Sequence, residues 1–297
     1  MNIRELGYIV LETADLTKWR SYAEDVLGMM VGRSADAAMT LRMDERDCRI
    51  LLKKSDAERL ISIGWLVDSR KDLKQVAEEL AANGFVVIEG TEAECAERRV
   101  NKLIATIDPA GARHEFAWGP VANFLERFQS KVGVRRFVTG DQGLGHAVLA
   151  VPPEQFEAEE FFIEEVLGFT LANFRRTSVN PARAPATINW YGSGNGRHHT
   201  LAIGKAEGKH ALQHIMLEVD SIDDVGRALD RAMDRGERMA SVLGRHSNDS
   251  AISFYTVSPS EFWVEYGFVM PGTTYGEVSW DDGSVGVLWG HRFNYNA

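Results

Sequence analysis

The chain repeats itself, and the repeat constrains its fold more than any other feature, because a duplicated unit must bury its apolar face against a copy. Leu6-Gly7-Tyr8 returns as Leu144-Gly145-His146, and Val26-Leu27-Gly28 as Val166-Leu167-Gly168. Val67-Asp68-Ser69 returns as Val219-Asp220-Ser221, and Trp118-Gly119 as Tyr266-Gly267. The separation moves from 138 residues (Leu6 to Leu144) to 152 (Val67 to Val219), as it does when loops differ in length between fixed elements. The 297 residues are about twice an ordinary domain, so two domains are expected: 1–134, and 135–297 with a C-terminal tail. Thr139-Gly140-Asp141-Gln142-Gly143 reads as the link between them.

Each half divides again. Residues 144–151 form an apolar strand, followed by a helical stretch that stops at Gly168. Residues 212–219 repeat the pattern, with Ser221 as N-cap and Asp224 three residues on, as in a capping box. Val225, Leu229 and Met233 then share one helix face until Gly236. Residues 6–28 and 61–84 show the same strand-then-helix order. Short β-rich runs follow each helix, for example residues 252–257 and 262–266 around the turn Ser258-Pro259-Ser260. The unit is strand, helix, then several strands, four times over. Paired units of this kind give an α+β fold of curved mixed sheets; a doubly wound sheet would need a helix between nearly all strands. Ser193-Gly194-Asn195-Gly196 is glycine-rich but precedes a strand, so it reads as a turn and not a phosphate loop.

Charge narrows the partners. The formal net charge is −10, which disfavours nucleic acid and anionic membranes. No apolar run approaches the ~20 residues of a membrane span, and the first residues, Met1-Asn2-Ile3-Arg4-Glu5, are too charged for a secretory leader. Cys48 and Cys95 are too few for a disulfide framework, so a reducing, cytoplasmic setting is expected.

Six of the eight histidines lie between His146 and His246. His146 and His214 hold the same place in two first strands, third in each apolar run, so both can face one concavity. Glu265, among Phe262-Trp263-Val264-Glu265-Tyr266, must face solvent, meet a counter-charge or bind a metal, since burying it alone is prohibitive. Two imidazoles and one carboxylate form the triad of non-haem Fe(II) sites, with positions left open for substrate and dioxygen. Matching positions in the first half are read as Tyr8, Ser62 and Ala117, which predicts one metal per chain, in the second half. Strand alternation over residues 197–203 sends His198 and His199 to opposite faces, so at most one points inward. Residues 243–249 read as a solvated polar loop leading to the strand of Tyr255. His114, His210 and His291 read as surface or loop residues.

These segments, with Arg197-His198-His199-Thr200-Leu201-Ala202, Leu243-Gly244-Arg245-His246-Ser247-Asn248-Asp249, Ser253-Phe254-Tyr255 and Leu288-Trp289-Gly290-His291, occur in the order and spacing of one family. The chain resembles the type I extradiol ring-cleaving dioxygenases, and among them the 2,3-dihydroxybiphenyl 1,2-dioxygenases, over nearly its whole length. The resemblance implies the vicinal-oxygen-chelate fold, with four βαβββ modules in two domains and metal only in the second. It makes His146, His214 and Glu265 ligands of Fe(II), with Mn(II) acceptable to the same donors. It makes His199 the acid–base group, and His246 and Tyr255 partners of the substrate oxygens. Asn248 and Asp249 fall near substrate, with Val148 and Tyr191 as candidate pocket walls. The expected reaction is O2-dependent cleavage of a catechol beside its diol, in aromatic-compound catabolism, with biphenyl-2,3-diol the leading substrate. 1,2-Dihydroxynaphthalene or a catecholic seco-steroid is the alternative, and a homo-oligomer, often an octamer, is implied. Ser260-Glu261 departs from the family, which usually has a glycine after the Ser/Thr-Pro turn, and the stretch from Arg175 to Arg197 is not closely matched. Readings of another class are a glyoxalase-like metal isomerase or lyase, and a non-catalytic small-molecule binding protein.

Overall fold

The structure is a computed structural model that describes residues 2–175, 187–206, 211–271, 273 and 286–294. Four modules follow one another, each a strand, a helix and three strands. The first holds β1 (Ile3–Thr13), α1 (Leu16–Ser21), β2 (Met30–Ala35), β3 (Ala38–Arg42) and β4 (Ile50–Lys54). The second holds β5 (Arg59–Val67), α2 (Arg70–Ala82), β6 (Ile88–Glu89), a short α3 (Glu92–Arg98), β7 (Val100–Ile107) and β8 (Arg113–Pro120). The third holds β9 (His146–Val151), α4 (Phe156–Phe161), β10 (Thr170–Arg175), β11 (Ile188–Gly192) and β12 (Leu201–Lys205). The fourth holds β13 (Ala211–Glu218), α5 (Ile222–Asp234), β14 (Met239–His246), β15 (Ile252–Val257) and β16 (Trp263–Phe268), and β17 (Val287–Trp289) adds an edge.

Modules pair into two sheets of matching order, β2-β3-β4-β1-β5-β8-β7-β6 and β10-β11-β12-β9-β13-β16-β15-β14-β17. The first strands of paired modules lie side by side at the centre of each sheet, β1 against β5 and β9 against β13. Period-two alternation then separates two faces. Ala147, Leu149, Ile215, Leu217, Val264 and Tyr266 go into the main core, while His146, Val148, His214, Met216 and Glu265 take the other face. The α+β expectation holds.

Helix starts follow their caps. Ser69 caps α2 by accepting from the Asp72 amide at 3.1 Å. Ser221 caps α5 through the Asp223 amide at 3.2 Å, and no box forms with Asp224, which is buried and accepts instead from Arg227 Nη2 at 2.7 Å. The buried stripe of α5 is Val225, Ala228 and Ala232, so Met233, expected inside, is exposed.

The pairing register corrects one sequence expectation. Tyr8 lies opposite Gly64 and His146 opposite Met216. Gly64 lies opposite Glu115 and Met216 opposite Glu265. The counterpart of Glu265 is therefore Glu115, and Ala117 matches Gly267. The alignment through Trp118-Gly119 slips by two residues, a shift that a period-two strand hides because the facing is unchanged.

Candidate metal centre

The central strands bring three donors to one point. His146 Nε2 and His214 Nε2 stand 3.1 Å apart, and Glu265 Oε2 lies 3.3 Å from the first and 3.4 Å from the second. A cation about 2.1 Å from each donor would set neighbouring donors about 3.0 Å apart at right angles and about 3.4 Å at the tetrahedral angle. The trio therefore spans three corners of one coordination sphere.

Neighbouring groups hold the donors in ligand form. Gln213 Oε1 accepts from His214 Nδ1, which leaves Nε2 as a bare lone pair. Ser253 Oγ donates to Glu265 Oε1 at 2.6 Å, so Oε2 is the free oxygen. Burial raises the Glu265 carboxyl, but the surrounding histidines overcome it and hold the group well below the usual range. A buried carboxylate beside two buried imidazoles is a donor set that fits a divalent transition metal.

His199 stacks beside the centre, its ring centroid 4.0 Å from that of His146. Burial, then His146 and His198, hold its pKa well below the ordinary value, so its resting form is the neutral base. The expectation that His198 points away fails. Both residues lie in the loop before β12, where strand alternation does not operate, and both are buried. His198 Nδ1 sits 3.0 Å from His199 Nδ1.

On the other side, His246 Nε2 lies 2.8 Å from Tyr255 Oη and 3.4 Å from Glu265 Oε1. Burial would lower the His246 pKa, yet Glu265 lifts it to about 9. The segment read as a solvated loop continues as β14 through His246, and only residues 247–250 turn. Asp249 is buried with Oδ1 accepting from the Ala251 amide at 2.9 Å, and Asn248 is half-buried on the same turn. Val148 lies opposite His214 on the site face. Tyr191 does not wall the site: it packs in the main core, with its hydroxyl accepting from Asn189 Nδ2 at 2.7 Å. Its neighbour Trp190, on the opposite face of β11, is the residue near His199, at 6.4 Å between ring centroids.

Two histidines read as surface or loop residues are buried, His114 on β8 and His291 in the loop after β17. His291 stacks on His246 at 4.3 Å, and its Nδ1 meets Val242 O at 3.1 Å. Burial lowers its pKa to about 4, so it rests as a neutral ring. His114 lies in the core between Trp65 and Asp108. His210 lies outside the described residues. Sequence reasoning also missed Ser253, for which alternation with Tyr255 on one strand was the available signal. A cavity of about 340 Å³ reaches the centre past His146, His198, His199, Met216 and Asp249, within the size of small-molecule sites.

This fold and centre place the chain in the superfamily described as glyoxalase/bleomycin resistance protein/dioxygenase, whose family model matches residues 143–266. Residues 6–54 match the first domain of dihydroxybiphenyl dioxygenase BphC. Within that superfamily, the chain belongs to the extradiol catechol dioxygenases. It is 39% identical to the 3-methylcatechol 2,3-dioxygenase of Pseudomonas putida, over all of both chains. It is 37% identical to an iron-dependent extradiol dioxygenase of Rhodococcus jostii, over 99% of this chain and 98% of that one. The crystal structure of BphC, a halotolerant catechol dioxygenase, superposes with a TM-score of 0.88 at 35% identity, covering 98% of this chain and 95% of the other. Family membership implies a catalytic metal and O2. No helix among the described residues is long and apolar enough to cross a membrane.

Proposed function

We propose that the chain cleaves biphenyl-2,3-diol beside its diol, using Fe(II) held by His146, His214 and Glu265. The observation that carries this reading is the three-donor cluster, with His199 against one side and the His246–Tyr255 pair against the other. Relatives from Pseudomonas and Paraburkholderia named biphenyl-2,3-diol 1,2-dioxygenase, 36% and 37% identical, support the substrate. Bound there, the metal would acidify the diol hydroxyls and bring substrate electrons and O2 to one ion.

The chain's residues do the rest. His199, neutral at rest, takes a proton from a substrate hydroxyl and later returns one to an oxygen. His246 and Tyr255 hold the substrate oxygens by hydrogen bonds, Ser253 fixes which oxygen Glu265 offers, and Val148 and Trp190 shape the pocket beside His214 and His199. Residues 1–134 act as scaffold and 135–297 carry catalysis. The free thiols of Cys48 and Cys95 suit a cytoplasmic enzyme, and a homo-oligomer is the assembly proposed.

Anaerobic purification with metal analysis tests the reading, followed by a spectral screen for yellow ring-fission product. We expect iron, and biphenyl-2,3-diol turned over faster than 3-methylcatechol or 1,2-dihydroxynaphthalene. Manganese as the native ion, or a preference for 3-methylcatechol, overturns the metal or the substrate separately.

A further inference from the structure

Among the contacts between the two halves, two junctions are made equivalent by the repeat, and the one at α4 is built on a carboxyl pair. At the first, Trp19 of α1 donates its indole N–H to Ser260 Oγ at 2.8 Å, in the β15–β16 turn. At the second, α4 takes the part of α1, with Glu159 in the place of Trp19, and meets the β7–β8 turn. There Asp108-Pro109-Ala110-Gly111 stands for Ser258-Pro259-Ser260-Glu261. Glu159 and His114 are fully buried and Asp108 nearly so. The Ala110 amide donates to Glu159 Oε2 at 3.2 Å, while Oε1 is buried with no donor to meet it. Donor atoms of Asp108, His114 and Glu159 all lie within 4.8 Å of one another.

A cation or a proton can satisfy such a cluster, and Trp65 selects between them. An indole N–H only donates, and Trp65 Nε1 lies 2.9 Å from His114 Nδ1. The neutral imidazole therefore carries its proton on Nε2, aimed at Asp108 Oδ2 at 3.1 Å. A metal on Nε2 would have to displace that proton and leave an imidazolate.

We propose that Glu159 is a neutral carboxylic acid whose O–H donates to Asp108, so that this junction between the halves is a proton-dependent latch. Deprotonation sets two carboxylates against each other in a site closed to water. The groups facing Glu159 are Asp108 and the Ala110 amide from the β7–β8 turn and His114 from β8, with Phe162 packed on the His114 ring at 5.3 Å. Among the described residues no Lys or Arg forms an ion pair with Glu159. Burial, reinforced by Asp108, lifts the Glu159 carboxyl from 4.5 to about 9. Because the folded pKa is the higher one, the unfolded chain loses this proton first. Stability then falls as pH rises between 4.5 and about 9, and the contribution is flat above that window. The slope is at most about tenfold in the folding equilibrium per pH unit.

The test compares the wild-type holoenzyme with Glu159→Gln, whose amide N–H replaces the O–H donor. The variant should melt higher than wild type by a margin that widens as pH rises through this window. An infrared C=O band of a protonated carboxyl should be present in wild type at neutral pH, fade near pH 9 as the group titrates, and be missing from the variant. A pH-independent difference between the two proteins overturns the proposal, as does the absence of the band in wild type, which is read whether or not the variant folds. A second metal ion per chain that the substitution removes would replace the proton with a cation and overturn it equally.

Discussion

The two halves carry the same strand scaffold but opposite solutions to one buried carboxylate. In the second half, Glu265 stands against His146 and His214, its Oε2 3.3 and 3.4 Å from their Nε2 atoms. In the first half the matching carboxylate is Glu115, with Tyr8 at the position of His146 and Ser62 at that of His214. Tyr8 Oη donates to Glu115 Oε2 at 2.9 Å, and Arg98 forks onto both oxygens at 2.9 and 2.8 Å. The Tyr8 ring also fills the space: a Cβ on Gly64 would come within 2.3 Å of it. A fixed guanidinium thus supplies the positive charge that a metal would supply in the other half. A carboxylate at the centre of this sheet is therefore no evidence of a metal until its partners are known.

The largest expected effect breaks the candidate metal centre. Glu265→Gln should lower metal affinity by more than about 100-fold, since outer partners of metal ligands alone are worth about 10–100-fold. Turnover should vanish with it, and metal analysis with oxygen uptake checks both. Full metal occupancy would make Glu265 an ordinary strand carboxylate. His199→Gln should keep the metal and lose about 10²–10⁴-fold in turnover, as removal of a general acid–base group does. Loss of metal in that variant would make His199 a ligand instead.

The same substitution in the other half should strike stability and not metal. Glu115→Gln takes away the carboxylate that Arg98 and Arg113 both meet but leaves Arg98 paired with Glu97 at 2.9 Å, so the cost should fall below the about 3–5 kcal/mol of a fully unpaired buried charge, with metal content unchanged. The cost is pH-dependent in a fixed sense. Burial raises the Glu115 carboxyl, but Arg98 outweighs it and holds the pKa below 4.5. The contribution is present above pH 4.5 and lost as pH falls below it, so the variant and wild type should converge in acid melts. A variant as stable as wild type at neutral pH would remove the electrostatic half of the comparison.

Smaller effects sharpen it. The buried His198 ring against His199 predicts that His198→Gln lowers turnover by about tenfold, where packing alone would predict almost none; steady-state rates on metal-replete protein decide. Glu261 sits at φ 66°, in the left-handed region, where the equivalent Gly111 sits at φ 97°. Relaxing that strain, Glu261→Gly should raise stability by about 0.5–1 kcal/mol, less whatever its exposed ion pair with Arg238 contributes. An unchanged or lowered melting temperature would show that the Arg238 contact matters more.

The four-fold order of strand and helix was legible because it is written locally, in apolar runs, caps and glycine stops. His146, His214 and Glu265 were legible because period-two facing and their places in the repeated strands survive without coordinates. Other assignments failed where local pattern carries no information about partners. His198 was assigned from alternation, but it lies in a loop where alternation does not operate; Tyr191 was a candidate pocket wall by resemblance alone, and on β11 alternation turns it to the core and Trp190 to the site. The burial of His114 and His291 was not legible because nothing near them in the chain shows Trp65 or His246 closing over them.

The sequence by itself determined the duplication, the order of elements and the donor types, since each depends on side-chain chemistry repeated at short range. Only the tertiary structure decided that Glu115, and not Ala117, answers Glu265, because a two-residue slip along a strand preserves facing and alters only which residue lies across the sheet. It also decided which of the two carboxylates faces histidines and which an arginine, since Arg98 reaches Glu115 from a different element, the end of α3. Pairing across a sheet and closure between elements are properties of space, and no window along the chain contains both partners.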